Sequence, residues 1–115
     1  NAIFVDAFFA DSSETKVRDF VAAFHDKNAG AAPYLSDALA YDTAALVVQL
    51  IAQHQPKTRG VAQKLLSEGF SYSGVTGELR FDKDGDVERE LRVLTLRQGQ
   101  IVPWDGQLFT SPRHR

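Results

Sequence analysis

The stretch Tyr72-Ser-Gly-Val-Thr-Gly-Glu-Leu-Arg-Phe-Asp-Lys-Asp-Gly-Asp86 sets three glycines and three aspartates around one short apolar alternation. It can be read as a metal site, a catalytic loop or a turn. Asp82, Asp84 and Asp86 stand at alternate positions, as hard oxygen ligands do at the opening of a calcium loop. The rest of such a loop is missing. With Asp82 first, the glycine of the sixth position falls on Val87 and the carboxylate of the twelfth on Val93; with Asp84 first they fall on Arg89 and Thr95. No metal is expected here. As a turn the stretch is consistent: Leu79 and Phe81 share one face, Asp84-Gly85 supplies backbone freedom, and Val87 begins a second run in which Leu91 and Val93 alternate with charge. The expected element is a β-hairpin with solvated aspartates at its tip.

The rest of the chain sets the context for that hairpin. With 115 residues, 43% hydrophobic and 24% charged, it has the size and composition of a globular unit with a modest core. A formal charge of -2 and arginines spread along the chain give no basic field, so no nucleic-acid partner is expected. The absence of cysteine removes disulfides, thiol nucleophiles and thiolate metal sites, and leaves the compartment open. The longest apolar run, Ala44 to Ala52, is far below the roughly 20 residues needed to span a bilayer. No signal-peptide pattern is visible, and Asn1-Ala2 reads as the remnant of a cleaved tag.

Ile3 to Phe9 is a dense apolar run, expected to be a short strand buried on both faces. Asp11 and Glu14 have capping-box spacing, and Val17, Phe20, Val21 and Phe24 follow at the period of an amphipathic helix that Asn28-Ala-Gly30 stops. A second helix is expected from near Ser36 to Pro56, with Asp37 at its positive end; it is apolar almost all round and needs cover on most sides. Val61, Leu65 and Leu66 mark a shorter third helix closed by Gly69. Strands are expected over Gly77 to Phe81, Val87 to Arg97 and Ile101 to Trp104, with Gln98-Gly99 as a turn. The tail from Asp105 to Arg115 loses periodicity and is expected to be loose or docked.

The search for chemistry is largely negative. His25, His54 and His114 lie far apart and form no metal-binding pair on one helix face; His25 and His54 suit exposed helix positions. Ser71-Tyr-Ser73-Gly74 lacks the first glycine of a nucleophile elbow, and Gly74 and Gly77 are too few for a phosphate cradle. Glu88 and Glu90 fit a solvated strand face better than an acid and base pair. No cofactor and no enzyme are expected. Asp42 stands inside a nearly all-apolar helix and must reach solvent or find a donor; the structural reading is an inter-element hydrogen bond, and ligand contact is the alternative. Phe8 and Phe9 are core aromatics unless a cleft lies beside them.

Taken in order, these features resemble the C-terminal third of a type I periplasmic binding protein of the branched-chain amino-acid-binding class, an extracellular ligand-binding receptor family. Its pattern runs from a strand, through a helix ending in a glycine-to-proline turn and a helix bearing Tyr-Asp, to an arginine-opened helix and a glycine-rich hairpin. Here it is met by Asn28-Ala-Gly30 to Pro33, Ala38-Leu-Ala-Tyr41-Asp42-Thr-Ala44, Arg59, the stretch Gly74 to Asp86 and Gly99-Gln-Ile-Val102. The resemblance covers about residues 3 to 104. It implies an α/β class (α+β for the fragment alone): three helices, then a β-hairpin and a final strand, all part of a bilobed, Venus-flytrap fold. Residues 1–115 are then a single fragment of a two-lobed protein.

The function so implied is that of a solute-binding component of an ABC-type uptake system or receptor, in the periplasm or at the cell envelope, where a lipoprotein form is compatible with the resemblance. It binds a small molecule such as an amino acid in an interlobe cleft and delivers it to a membrane transporter permease. Phe8, Phe9, Asp37 and Tyr41 are the residues expected nearest that cleft. Where amino-acid-binding members carry an aromatic contact before the Tyr-Asp helix, this sequence has Ser36-Asp37-Ala38, with Tyr34 nearby. The opening Phe-Val-Asp-Ala-Phe-Phe and the Ile-Val-Pro-Trp near the end also resemble envelope lipoproteins of this fold related to activators of penicillin-binding proteins, which implies a protein-interaction domain as the alternative. A fragment with too few partners for its apolar elements is expected to self-associate as a homodimer by exchange of elements. Light scattering on the 115-residue chain should then give a dimer or larger, and a monodisperse monomer would count against it.

Overall fold

A computed structural model describes residues 2–106. In chain order the elements are β1 (Ile3–Asp6), α1 (Thr15–Lys27), α2 (Leu35–His54), α3 (Arg59–Ser67), β2 (Ser71–Gly74), β3 (Gly77–Phe81), β4 (Val87–Arg89), β5 (Arg92–Arg97) and β6 (Gln100–Pro103). They form two antiparallel three-stranded sheets, ordered β1-β5-β6 and β2-β3-β4. The mixed helix and strand class, with three helices before the hairpin, is the expected one. The part of the expected tail from residue 107 on, His114 included, lies outside the described residues.

The helix ends follow local chemistry. At the end of α1, Asn28 Nδ2 donates to the Phe24 carbonyl at 2.8 Å and Gly30 N to the His25 carbonyl at 2.9 Å, satisfying carbonyls the helix leaves open. Asp37 Oδ2 accepts from Tyr34 N at 2.8 Å, the carboxylate half of a capping box at the start of α2. Gln55 closes α2 in the left-handed region just before Pro56, and Thr58 Oγ1 caps α3 by accepting from Val61 N at 3.2 Å. The start of α1 departs from expectation: Asp11 and Glu14 form no box, because Ser12 Oγ takes the Glu14 N–H at 3.2 Å and the helix begins at Thr15.

The strands depart further. The run from Ile3 is a strand only as far as Asp6, where Phe8 N turns back to Asp6 Oδ1 at 3.1 Å and Ala7 and Phe8 leave the sheet for the core. β1 is an edge strand open to solvent, with Val5 59% exposed, and is not buried on both faces. The run from Val87 to Arg97 is two strands: β4 pairs with β3, β5 pairs with β1, and Glu90-Leu91 passes between the sheets. β2, unforeseen in the sequence, pairs with β3 so that Tyr72 faces Leu79 and Gly74 faces Gly77. The aspartate tip forms as a turn, in which Asp82 Oδ1 accepts from the N–H of both Asp84 and Asp86 at 2.9 Å.

The core gathers Phe8, Val17, Phe20, Ala38 and Val75, so β1's continuation, α1, α2 and the β2–β3 turn converge on it. α2 contributes one stripe, Ala38, Asp42, Leu46 and Leu50, at every fourth residue. Its other faces stay open: Val48 is 66% and Ile51 54% exposed. Contrary to the count of apolar residues in a row, Leu35–His54 as a whole helix is long and apolar enough to cross a membrane by length and composition. Its inner stripe nevertheless carries an aspartate hydrogen-bonded to the turn between β2 and β3, an arrangement of a helix packed on protein.

Asp42 is fully buried, and its carboxylate accepts from Val75 N at 2.9 Å, from Thr76 N at 2.8 Å and from the Thr76 hydroxyl. Arg89 Nη1 on β4 donates to Thr76 Oγ1 at 2.8 Å. Gly74 is the close-approach position: a Cβ there would overlap the Asp42 carboxylate. Replacing Asp42 with alanine strands two buried N–H groups and should cost about 3 kcal/mol of stability, read by thermal or denaturant unfolding. Gly74→Ala should cost about 2 kcal/mol by steric overlap. Near-native stability of either variant would contradict the anchor.

Candidate functional site

A cavity of about 560 Å³ opens between α1, α2 and β2, next to the Asp42 anchor. α1 supplies one wall through Lys16, Asp19, Phe20, Ala23, Phe24 and Lys27, residues three and four apart on one helical face. α2 supplies Tyr41, and β2 with its turn supplies Tyr72, Ser73, Gly74 and Val75. The hollow exists because the α1 wall has only Ala23 at its middle and the Asp42 carboxylate allows no side chain at Gly74.

Phe20, Phe24, Tyr41 and Tyr72 are its aromatic lining, with Phe8 behind them in the core. Tyr41 lies against Phe20 with ring centroids 4.7 Å apart, Phe24 is 6.1 Å from Phe20, and Phe8 meets Phe20 edge-on from the core side at 5.9 Å. At one rim Lys16 Nζ donates to Ser73 Oγ at 2.7 Å, joining α1 to β2. Tyr72 is pushed above the ordinary tyrosine value of 10.0, first by burial, then by the negative charge of Asp42 and by Tyr41, so its hydroxyl stays neutral and able to donate. A cavity of this size with an aromatic floor and a few polar groups is suited to holding a small organic molecule. Among the described residues no group of three or more histidines, aspartates or glutamates is placed to hold a metal.

The structure disperses the four residues expected near a cleft. Tyr41 alone lines the cavity, about half exposed. Phe8 is 6% exposed and belongs to the core, in indirect reach of the site through Phe20. Phe9 is half-buried in the β1–α1 connection, where its carbonyl accepts from Ser12 N at 3.2 Å. Asp37 is engaged at the start of α2. His25 and His54 are exposed on helices, His54 packing edge-on against Phe70. The lining residues missed in the sequence are Lys16, Lys27, Tyr72 and Ser73. The first two share a helical period with Phe20 and Phe24 and were legible; the other two depended on β2, which no alternating pattern announces.

No protein-family model matches the sequence, and no curated protein does. Solved structures do. A crystal structure assigned to a branched-chain amino acid ABC transporter from Rhodospirillum rubrum superposes with a TM-score of 0.79 at 29% identity, over 89% of this chain and 30% of the other. The branched-chain amino acid transporter substrate-binding protein LivJ of Streptococcus pneumoniae, in complex with isoleucine, gives 0.68 at 26% identity, over 86% and 28%. A solute-binding protein of an ABC transporter from Rhodopseudomonas palustris, in complex with 3,4-dihydroxybenzoic acid, gives 0.69 at 16% identity over similar shares, a likeness of fold alone. This chain spans less than a third of the length of each.

The Tyr72 environment gives a direct test of the site's geometry. Spectrophotometric titration should show one tyrosine ionising above 10.0, and Tyr72→Phe should remove that step. Since the folded state holds this proton more tightly than the unfolded chain, the contribution to stability is complete below pH 10.0 and is lost as pH rises through the folded pKa. A titration with no raised tyrosine would mean that Tyr72 is solvated, away from Asp42.

Proposed function

We propose that this chain, which carries a segment of the type I periplasmic binding fold found in branched-chain amino-acid substrate-binding proteins, is the C-terminal portion of a solute-binding component of an ABC-type uptake system. The observation that carries this reading is the superposition on the Rhodospirillum rubrum structure over 89% of the chain. The complete protein has two lobes, sits in the periplasm or on the cell envelope, binds a small organic molecule without transforming it, and hands it to a membrane permease. Isoleucine in one neighbour and a hydroxylated benzoic acid in another span the ligand classes to examine first.

Within this segment the ligand contact is assigned to the cavity before Tyr41. Its open side is where the remainder of a two-lobed chain would supply the second wall. The exposed apolar surface of β1 and α2, notably Val5, Val48 and Ile51, supports the same view, since it is of a kind that a larger protein covers. That surface also suits the second reading, an envelope domain that docks other proteins.

A ligand that binds only the native state raises the melting temperature, by the equivalent of about 2.7 kcal/mol at a hundred times its dissociation constant. Thermal unfolding of the complete protein should therefore shift upward with at least one solute from a panel of branched-chain amino acids and aromatic acids. Silence across the panel would turn the assignment toward the docking domain.

A further inference from the structure

We infer that the ion pair between Arg92 and Glu14 couples the β1-β5-β6 sheet to the rim of the cavity, so that the orientation of that sheet adjusts how tightly the cavity holds a solute. The inference rests on the solute-binding reading and adds to it a positioning pair that lies outside the cavity.

The coupling begins where the chain crosses between two parts of the segment. β1 leads into α1, and β4 leads back through Glu90-Leu91 into β5, so two lengths of chain join the β1-β5-β6 sheet to the helices and the β2-β3-β4 sheet. A hollow of about 270 Å³ lies at this junction, bounded by Glu14, Lys16, Ser73, Glu78, Glu90 and Arg92. Unfilled volume lets two packed parts turn against each other at little steric cost, where a close-packed junction would resist. Arg92 Nη1 reaches across to donate to Glu14 Oε1 at 3.4 Å. Its Nε is buried with no hydrogen-bond partner among the described residues, so the contact is a single bond and not the two-bond fork of which arginine is capable. Such a pair releases more readily than a fork. Glu78 and Glu90 on the same wall offer the guanidinium other carboxylates as the sheet turns, so release from Glu14 does not strand its charge.

Two residues belong to both spaces. Lys16 and Ser73 line the hollow on one side and the cavity on the other, and their 2.7 Å hydrogen bond is the partition between them. Glu14 is tied to that partition through the helix. Its carbonyl accepts from Val17 N at 3.1 Å and Arg18 N at 3.0 Å, which makes it the start of the turn that carries Lys16. A pull on Glu14 from Arg92 therefore acts on the first turn of α1, and through it on where the lysine meets Ser73. With the pair formed the turn is held and the rim is closed; with the pair broken the rim loosens. Neither Glu14 nor Arg92 lines the cavity, so an effect of either on binding travels by this route.

The test uses the complete protein and the variants Glu14→Gln, Arg92→Gln and both together, titrated with isoleucine, 3,4-dihydroxybenzoate and the other solutes of the thermal panel. Glu14→Gln should weaken binding of the responding solute about fivefold, the lower end of coupling between linked sites. Arg92→Gln should do the same, and the double variant should be no weaker than either, because the two residues act as one pair. Arg92→Lys should keep most of the original affinity, since a single bond to a carboxylate does not need the fork. Spin labels introduced through Gln53→Cys on α2 and Gln100→Cys on β6, both exposed positions, report the spacing of helix and sheet without any solute. Their distance distribution should broaden in Glu14→Gln. Additive losses in the double variant, or a distribution that Glu14→Gln leaves unchanged, would overturn the coupling. Silence of every solute would overturn the solute-binding reading and the affinity half of the inference, and the label distances would still decide whether the pair holds the sheet.

Discussion

One buried carboxylate holds this segment together. Asp42 lies on the inner stripe of a helix that has no other charged residue between it and its C-terminal histidine, and it receives two backbone N–H groups and a hydroxyl from the turn joining β2 to β3. A carboxylate in such a place is costly to bury unless its oxygens are satisfied, and the turn satisfies both. The relationship is reciprocal, because the Val75 and Thr76 amides are buried too and have no partner within their own hairpin. Helix and hairpin thus solve each other's polar deficit, and Arg89 extends the solution to β4 through the Thr76 hydroxyl.

The cavity follows from this arrangement. Holding the turn against α2 brings Tyr72 and Ser73 to the side of α1, and the carboxylate keeps position 74 bare. Lys16 then closes one rim from across the gap. The aromatic wall is built on the same frame, since Val75 from the turn packs into the cluster with Phe20 and Phe8. Cavity geometry and folding geometry share their central residue, which places the cavity on packed helices and strands.

Much of this was legible in the chain. The helices were visible because their period and their stop signals agree: Asn28 and Gly30 end α1, and Pro56 follows α2. The hairpin was visible because Asp84-Gly85 sits between two alternating runs, and the unease about Asp42 inside an apolar helix pointed to a real partner. What was not legible depended on distant chain. The run from Val87 to Arg97 has uninterrupted strand chemistry, and only the availability of two different neighbours, β3 and β1, divides it at Glu90-Leu91. β2 is four residues of Ser-Tyr-Ser-Gly, with little apolar content of its own, and is a strand because β3 and Asp42 make it one. The expected double burial of Ile3 to Phe9 failed because local apolarity reports the surface a residue seeks, whereas the number of layers that cover it is a property of the assembly.

The pairing of β1 with β5 bears on how the molecule folds. Asp6 is the register partner of Arg92, with all three helices and both strands of the first hairpin between them in the chain. Closing a loop of that length costs about 4 kcal/mol of chain entropy before any ladder hydrogen bond forms. The hairpins β2–β3 and β5–β6 close over a few residues and face no such barrier. Order should therefore accumulate from the middle of the chain outward, with the first strand joining last. During synthesis β1 would wait for its β5 partner until nearly the whole segment had emerged.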